Sequence, residues 1–275
     1  MNDLSSGKGA ADENFPVASL LLARRHREVV LAFYAVARLA DDIADHPTAS
    51  PREKLARLGD IEASLRGADA VAPAARLRAL MAGRNLSDRH ILDLLTAFRQ
   101  DVDKSRYASW AELMDYCRFS AAPVGRFVLD VHGEDTSTWP ASDALCAALQ
   151  VINHLQDCAK DYRALDRVYL PLDVLTAHGA SVEDLAAPSA GPGLRAAIAA
   201  LARQSQELLR QARPLASEVG DLRLALEIGA IQRLAESLAA RLHRRDPLCE
   251  RVHHRRPEAL VLALAGALRA GGGRP

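Results

Sequence analysis

The sequence predicts an all-α protein, and three observations carry that expectation. Apolar residues recur at helical spacing along nearly the whole 275-residue chain, two-residue alternation of the strand kind is scarce, and helix-capping stretches alternate with Gly and Pro breaks.

Residues 1–12, MNDLSSGKGAAD, are polar and glycine-containing and read as a flexible tail, which leaves 13–275 as one domain. The first clear helix carries Val29, Val30, Phe33, Val36, Ala37, Ala40 and Ile43 at helical spacing and should stop before Pro47. Ser50-Pro51-Arg52-Glu53 opens the next as a capping box with proline in the N1 place. Gly67 and Gly83 mark stops, Ser87 is placed to cap DRHILDLLTAF, and Ser109-Trp110-Ala111-Glu112 is a second capping box. Gly133 ends a further helix, Ser142 should cap DALCAALQVINHL, and Pro171 closes the long run after it. The stretch APSAGPG at 187–193 is the most loop-like internal segment; the same Ala/Leu-rich pattern on both sides favours a surface loop over a domain boundary. No repeat of about 20–50 residues is evident.

The chain is 49% hydrophobic, enough for a sizeable core, and its 35 Lys plus Arg balance 35 Asp plus Glu. A net charge of zero gives no general attraction to nucleic acid or anionic membrane, so electrostatic function must reside in local clusters. Cys117, Cys146, Cys158 and Cys249 lie far apart without a CxxC pair, and the N-terminus has no secretory signature; both point to a reducing, cytoplasmic setting. The longest apolar run, ALVLALAGAL at 259–268, falls short of the roughly 18–20 residues that span a bilayer. All Tyr, Phe and Trp lie at or before Tyr169. Ordinary close packing of an Ala/Leu-rich second half accounts for that asymmetry, but it also confines any aromatic-lined pocket to the earlier helices.

RLADDIAD at 38–45 gathers three aspartates in five positions. On a helix Asp41 and Asp45 share a face, and each like-charge pair costs roughly 0.2–0.5 kcal/mol even when exposed. Alone, this could be a solvated helix end with Asp42 in water and Arg38 paired to one carboxylate. A second stretch, DCAKD at 157–161, repeats the spacing, and Gln150, Asn153, Asp157 and Asp161 form one stripe of amides and carboxylates. Two helices with facing carboxylate pairs suit a hard divalent cation, and Mg²⁺ in particular is completed by water and substrate phosphates. A di-iron or di-manganese bundle would need Glu-x-x-His pairs; His154-x-x-Asp157 is in the reverse order and no histidine accompanies Asp41 on its face.

FYAVARLADDIAD (33–45), FRQDVDKSRY (98–107), YCRFSAAPVG (116–125) and QVINHLQDCAKDYRALDRVYLP (150–171) together resemble the squalene/phytoene synthases, the head-to-head trans-isoprenyl diphosphate synthases. With ENFPVAS at 13–19, the last block is most similar to the hydroxysqualene synthases of the bacterial hopanoid pathway. The resemblance implies an all-α isoprenoid synthase fold with a central cavity and Asp-rich motifs on opposite walls of its mouth. It also implies that Asp41, Asp45, Asp157 and Asp161 act catalytically by holding Mg²⁺, or alternatively Mn²⁺, on the substrate diphosphate, with Asn153 as a further metal ligand and Gln150 beside it. Tyr34, Arg38, Arg106, Tyr107 and Tyr116 are expected to bind substrate, and Phe33, Phe119 and Phe127 to join Tyr116 in lining a carbocation cavity. The implied reaction ionises presqualene diphosphate, rearranges the cation and captures water to give hydroxysqualene, without NADPH; no Gly-rich dinucleotide turn is evident. The alternatives are a squalene- or phytoene-type synthase condensing two prenyl diphosphates such as farnesyl diphosphate, and a non-catalytic relative serving in assembly or lipid binding.

Two departures from the phytoene synthase pattern bear on the diphosphate end: Glu13-Asn14-Phe15-Pro16 replaces a Ser-rich stretch, and Gln156 replaces an Arg. The basic segment RLHRRDPLCERVHHRRPEAL, 241–260, is ordinarily a solvated face, but it could close over diphosphate or give peripheral contact with the inner face of a membrane, and other hopanoid-pathway enzymes are expected partners.

Overall fold

A computed structural model describes residues 23–272; the expected tail and Glu13–Pro16 lie outside the described residues. The chain runs through α1 (Arg24–Ala44), α2 (Pro51–Leu65), α3 (Ala72–Ala82), α4 (Arg89–Asp103), α5 (Trp110–Ser120) and α6 (Ala122–His132). It continues through α7 (Trp139–Leu165), α8 (Leu172–Ala177), α9 (Pro192–Ala212), α10 (Leu215–Glu218), α11 (Leu222–Leu242) and α12 (Arg256–Gly272). Short 3₁₀ turns at Thr136–Thr138 and Val182–Ala186 precede α7 and the loop before α9. Among the described residues the sole strand-like pairing is an isolated parallel bridge, Arg106 to Val168.

The capping residues act as their chemistry dictates. Ser50 and Ser109 each accept the backbone N–H three residues on, at 3.3 Å, and Pro51 occupies the first turn of α2. Glu112 departs from the full capping box: its carboxylate accepts from Ala108 N and Lys104 instead of turning back to Ser109 N. Ser87 accepts from Arg89 N at 3.1 Å, and α4 begins one residue after Asp88. The reading of Ser142 as a cap is corrected: α7 starts three residues earlier at Trp139, with Pro140 in its first turn. Pro140 lacks the N–H that a first turn leaves unbonded, and Ser142 is instead buried.

Gly125 on α6 explains where Ser142 goes. A Cβ there would lie 2.4 Å from Ser142 Oγ and 2.6 Å from Cys146 Sγ, so only glycine lets α6 approach α7 this closely. The 27 residues of α7, about 40 Å at 1.5 Å per residue, form the axis on which α5, α6, α9 and α11 pack. Of the apolar α1 positions expected from the sequence, Val29, Val30, Phe33, Val36, Ala40 and Ile43 are buried against α2–α4 and α6, and Ala37 is half-buried. A second core cluster joins α5, α7, α9 and α11.

The basic segment 241–260 is tied down at several points. Arg241 bonds Glu258 and the His253 carbonyl, Asp246 is buried and accepts from Ala190 N at 2.8 Å, and Gln156 of α7 donates to the Val252 carbonyl. Gln156 therefore anchors this segment to α7. All four cysteines are free thiols. Among the described residues no helix is long and apolar enough to cross a membrane.

Candidate active site

One face of α1 and one face of α7 change character along their length. On α1 the positions Val30, Tyr34, Ala37, Asp41 and Asp45 follow one another at intervals of three or four; on α7 the same holds for Ser142, Cys146, Leu149, Asn153, Asp157 and Asp161. The earlier positions line an apolar cavity of about 250 Å³ closed by α6 and α11, and the later ones approach an acidic pocket of about 160 Å³. The two spaces are thus stacked end to end along the same pair of helices.

The cavity wall includes Phe33 and Phe127, stacked at 4.0 Å between centroids, together with Tyr34, Leu145, Leu224 and Ile228. Its aromatics come from the first half of the chain and its α11 wall is aliphatic, as the uneven distribution of aromatic residues suggested. Glu227 of α11 interrupts that wall: it is buried at the centre of the spacing Leu224, Glu227, Ile228, Ile231.

In the acidic pocket Asp41, Asp45 and Asp161 meet Gln150, Tyr116 and three residues the sequence reading did not select, Asp101, Arg167 and Tyr169. Arg167, buried at 7% exposure, donates to Asp45 Oδ1 at 2.7 Å and to the Asp101 carbonyl at 3.0 Å. Tyr116 Oη donates to Asp101 Oδ2 at 2.7 Å, and Tyr169 Oη to Asp101 Oδ1 at 3.2 Å. A parallel backbone pairing builds this cluster: Val168 N donates to Ser105 O, and Leu172 N to Tyr107 O, both at 2.9 Å, which sets the chain after α7 beside the end of α4.

Crowding of carboxylates in a water-poor site raises their affinity for protons. Burial, then the charge of Asp45, pushes Asp41 up to about 7 against the pull of Arg38. Burial, then Asp157, pushes Asp161 up to about 7. Burial raises Asp101 to about 6, opposed by Arg167 and the Tyr116 hydroxyl. His154 stacks on Tyr169 at 3.5 Å, and burial followed by Arg167 lowers it to about 3, so it is a neutral imidazole at pH 7.

The other expected site residues are placed differently. Arg38 pairs with Asp41 at 2.9 Å and Asp42 at 2.7 Å, so Asp42 is not a solvent-facing charge. Asn153 and Asp157 are half-buried on the α7 stripe outside the pocket lining, with Asp157 3.8 Å from Lys160 and close enough to His253 to feel its ring. Arg106 bonds Asp166 at 2.5 Å, where the chain turns left-handed at the end of α7. Tyr107 is fully buried behind the wall, its ring 5.2 Å from Tyr116 and 5.6 Å from Tyr169, and Phe119 packs against the core outside both spaces. The signal for the missed residues was present: Asp101, Arg167 and Tyr169 all fall inside the blocks that carried the resemblance.

The donor set fits a divalent cation with a polyanion. Two aspartates of α1 and one of α7 share a pocket that leaves them short of positive charge, and their hard oxygens suit Mg²⁺. Among the described residues no three carboxylate, imidazole or thiol groups form a coordination shell by themselves. His154 Nε2 and Ser120 Oγ, both on pocket-lining residues, are buried without hydrogen-bond partners among the described residues, so polar capacity for a ligand remains.

Comparison with known proteins finds relatives over nearly the whole chain. The chain is 54% identical to the hydroxysqualene synthase of Rhodopseudomonas palustris over 97% of this chain and 91% of that protein. It is 50% identical to the hydroxysqualene synthase of Zymomonas mobilis over 96% of this chain and 90% of that protein. Among solved structures, squalene synthase HpnC from Alicyclobacillus acidocaldarius superposes with a TM-score of 0.75 at 36% identity, over 88% of this chain and 90% of that one. The fold is the all-α isoprenoid synthase fold expected from the resemblance. A model of the squalene/phytoene synthase family matches residues 9–258, and with an acidic pocket above an apolar cavity on the same two helices, the chain is an enzyme that belongs to the squalene/phytoene synthase family.

Proposed function

We propose that this enzyme ionises presqualene diphosphate and captures the rearranged cation with water, giving hydroxysqualene and diphosphate, with Mg²⁺ as the resident metal. The observation that carries this reading is the stacking of acidic pocket on apolar cavity, since the reaction needs an anion-handling end and a dry end within one substrate length. The names of the relatives at 50–54% identity support the choice of substrate.

Asp41, Asp45 and Asp161, with Asn153 and Asp157 at the rim, would hold the metal; when bound, it supplies Lewis-acid neutralisation of the leaving diphosphate. Arg38, beside Asp41, would contact diphosphate oxygens through its guanidinium, and Gln150 would orient the same group. The C–O bond to diphosphate breaks with its electron pair leaving on the phosphate oxygen. The cyclopropylcarbinyl cation left behind rearranges in contact with the Phe33 and Phe127 faces. Water then forms the new C–O bond and gives up a proton to the released diphosphate, so no reductant enters the balance.

Incubation with presqualene diphosphate or farnesyl diphosphate, with and without Mg²⁺, followed by mass spectrometry of the product, tests the reading. Hydroxysqualene from the first substrate, only with Mg²⁺, is the expected result. Product from farnesyl diphosphate alone shifts the assignment to a two-substrate synthase, and diphosphate release from neither substrate overturns the catalytic reading.

A further inference from the structure

Outside the pocket, α12 gathers four of the large apolar side chains left in water: Leu260 is 61% exposed, Val261 66%, Leu264 55% and Leu268 75%. At 100° per residue these four fall within an arc of about 100° and extend about 12 Å along the helix. The opposite face, Ala259, Leu262, Ala263, Gly266 and Ala270, is turned to the protein and is buried or half-buried. Its seat is unusually close: a Cβ on Gly266 would lie 2.1 Å from the Gly229 carbonyl oxygen of α11, and one on Gly229 would lie 2.6 Å from the Gly266 oxygen. The helix is therefore held by its small-residue face, and its leucine face has no partner within the described chain.

The surrounding charge selects an occupant. Arg251, Arg255, Arg256 and Arg269 are all exposed at the two ends of this helix, and among the described residues none of them forms an ion pair; the nearby Glu258 is already bonded to Arg241. A second copy of the chain packed isologously on this face would bring the same arginines together, which opposes a dimer there. An anionic lipid surface meets both features, taking the leucines into its acyl boundary and the guanidinium groups at its headgroups. A groove of about 460 Å³ beneath α12 adds to this: its lining includes Gly266, Arg269 and Ile228, and Ile228 also lines the central cavity.

We propose that α12 docks the enzyme in plane on an anionic membrane through Leu260, Val261, Leu264 and Leu268, with Arg255, Arg256 and Arg269 as headgroup contacts. The docking follows from the surface of α12 and does not depend on the assigned reaction.

The test is sedimentation of the full chain with phosphatidylcholine vesicles containing phosphatidylglycerol, compared with pure phosphatidylcholine, at low and raised salt. Binding to the anionic vesicles that weakens with salt is expected. The double variant Leu264→Asp/Leu268→Asp should lose at least about tenfold in vesicle affinity while keeping the circular dichroism and melting temperature of the wild type, since both side chains are in water. Arg255→Glu/Arg256→Glu should lose the preference for anionic lipid. Wild-type protein that ignores anionic vesicles, a double variant that binds them as the wild type does, or light scattering that shows a dimer broken by the double variant would each overturn the proposal. Because vesicle binding is read without substrate, it can fail while hydroxysqualene is still formed, and the converse also holds.

Discussion

The acidic stretches of α1 and α7 reach the same pocket in different electrostatic states. On α1 every aspartate already has a cation: Arg38 holds Asp41 and Asp42, and Arg167 holds Asp45. In the acidic stretch of α7, at 157–161, the sole cation within ion-pair distance among the described residues is Lys160, 3.8 Å from Asp157, and Asp161 forms no ion pair there. The α1 half is thus paired within the protein, although two arginines serve three aspartates and Asp41 is still pushed up to about 7, whereas on the proposed function metal and substrate would bring the charge that Asp161 lacks. That difference assigns the two halves different work, anchoring to α1 and loading to α7, and it can be broken experimentally.

The largest effect is expected from Asp161→Asn. Removing one arm of the cation clamp should lower diphosphate release from presqualene diphosphate on the order of 10²–10³-fold. The folded protein should not suffer, because burial and Asp157 already push the Asp161 carboxyl up to about 7, and a neutral amide removes that conflict. Asp41→Asn should lose comparable activity but also free Arg38 from one of its two carboxylates. Equal activity to wild type in either variant, measured by released diphosphate, would sink the clamp.

Next in size is Arg167→Leu, which tests whether α1 is balanced from within. The guanidinium is buried, and its loss strips the Asp101 backbone carbonyl of its donor, removes the positive charge beside the Asp101 carboxylate and leaves Asp45 without its ion-pair partner. Breaking such a buried pair should cost about 3 kcal/mol of stability in urea unfolding. Arg38→Ala removes a guanidinium that is itself less enclosed, 19% exposed against 8%, and makes local pairs within one helix, and should cost about 0.5–1 kcal/mol. A reversed order would show that the anchoring lies at Arg38 instead.

Loading of α7 can be read without any reaction. Mg²⁺ with inorganic diphosphate at about a hundred times its dissociation constant should stabilise the wild type by about 2.7 kcal/mol, a rise of roughly 5–8 °C in melting temperature. Asp161→Asn should lose most of that rise, and Mg²⁺ alone should give much less than the pair. A full rise in the variant would place the cation entirely on α1.

How much of this could be read from the sequence depends on distance along the chain. The Asp-x-x-x-Asp spacings are local, so helical periodicity alone put Asp41 with Asp45 and Asp157 with Asp161. The capping at Ser50 and Ser109 was legible for the same reason. Arg167 and Asp101 are 66 residues apart and meet only because residues 105–108 pair with 168–173, a contact that no local pattern encodes. Ser142 misled because a serine before a helical run has the same local signature whether it caps the helix or, as here, packs against Gly125 of a neighbouring helix. The basic 241–260 segment is largely the solvated face its composition suggested, with Arg244, Arg245, Arg251, Arg255 and Arg256 exposed; what composition could not show is that Arg241 is engaged and Val252 is buried, contacts made by distant parts of the chain.

The smallest effect concerns the one cation on the α7 side. Lys160 and Asp157 are both well exposed, at 61% and 42%, and their 3.8 Å separation lies at the limit of an ion pair. Water and salt screen such a contact, so Lys160→Ala should change stability by no more than about 0.5 kcal/mol in urea unfolding. If Lys160 competes with the incoming metal for Asp157, its removal leaves α7 more negative and the apparent affinity for Mg²⁺ with diphosphate rises slightly, up to about twofold. If Lys160 instead serves as a diphosphate contact, affinity falls. A titration of melting temperature against Mg²⁺ at fixed diphosphate separates the two, and a fall in affinity would end the distinction between a helix balanced from within and one balanced by its ligand.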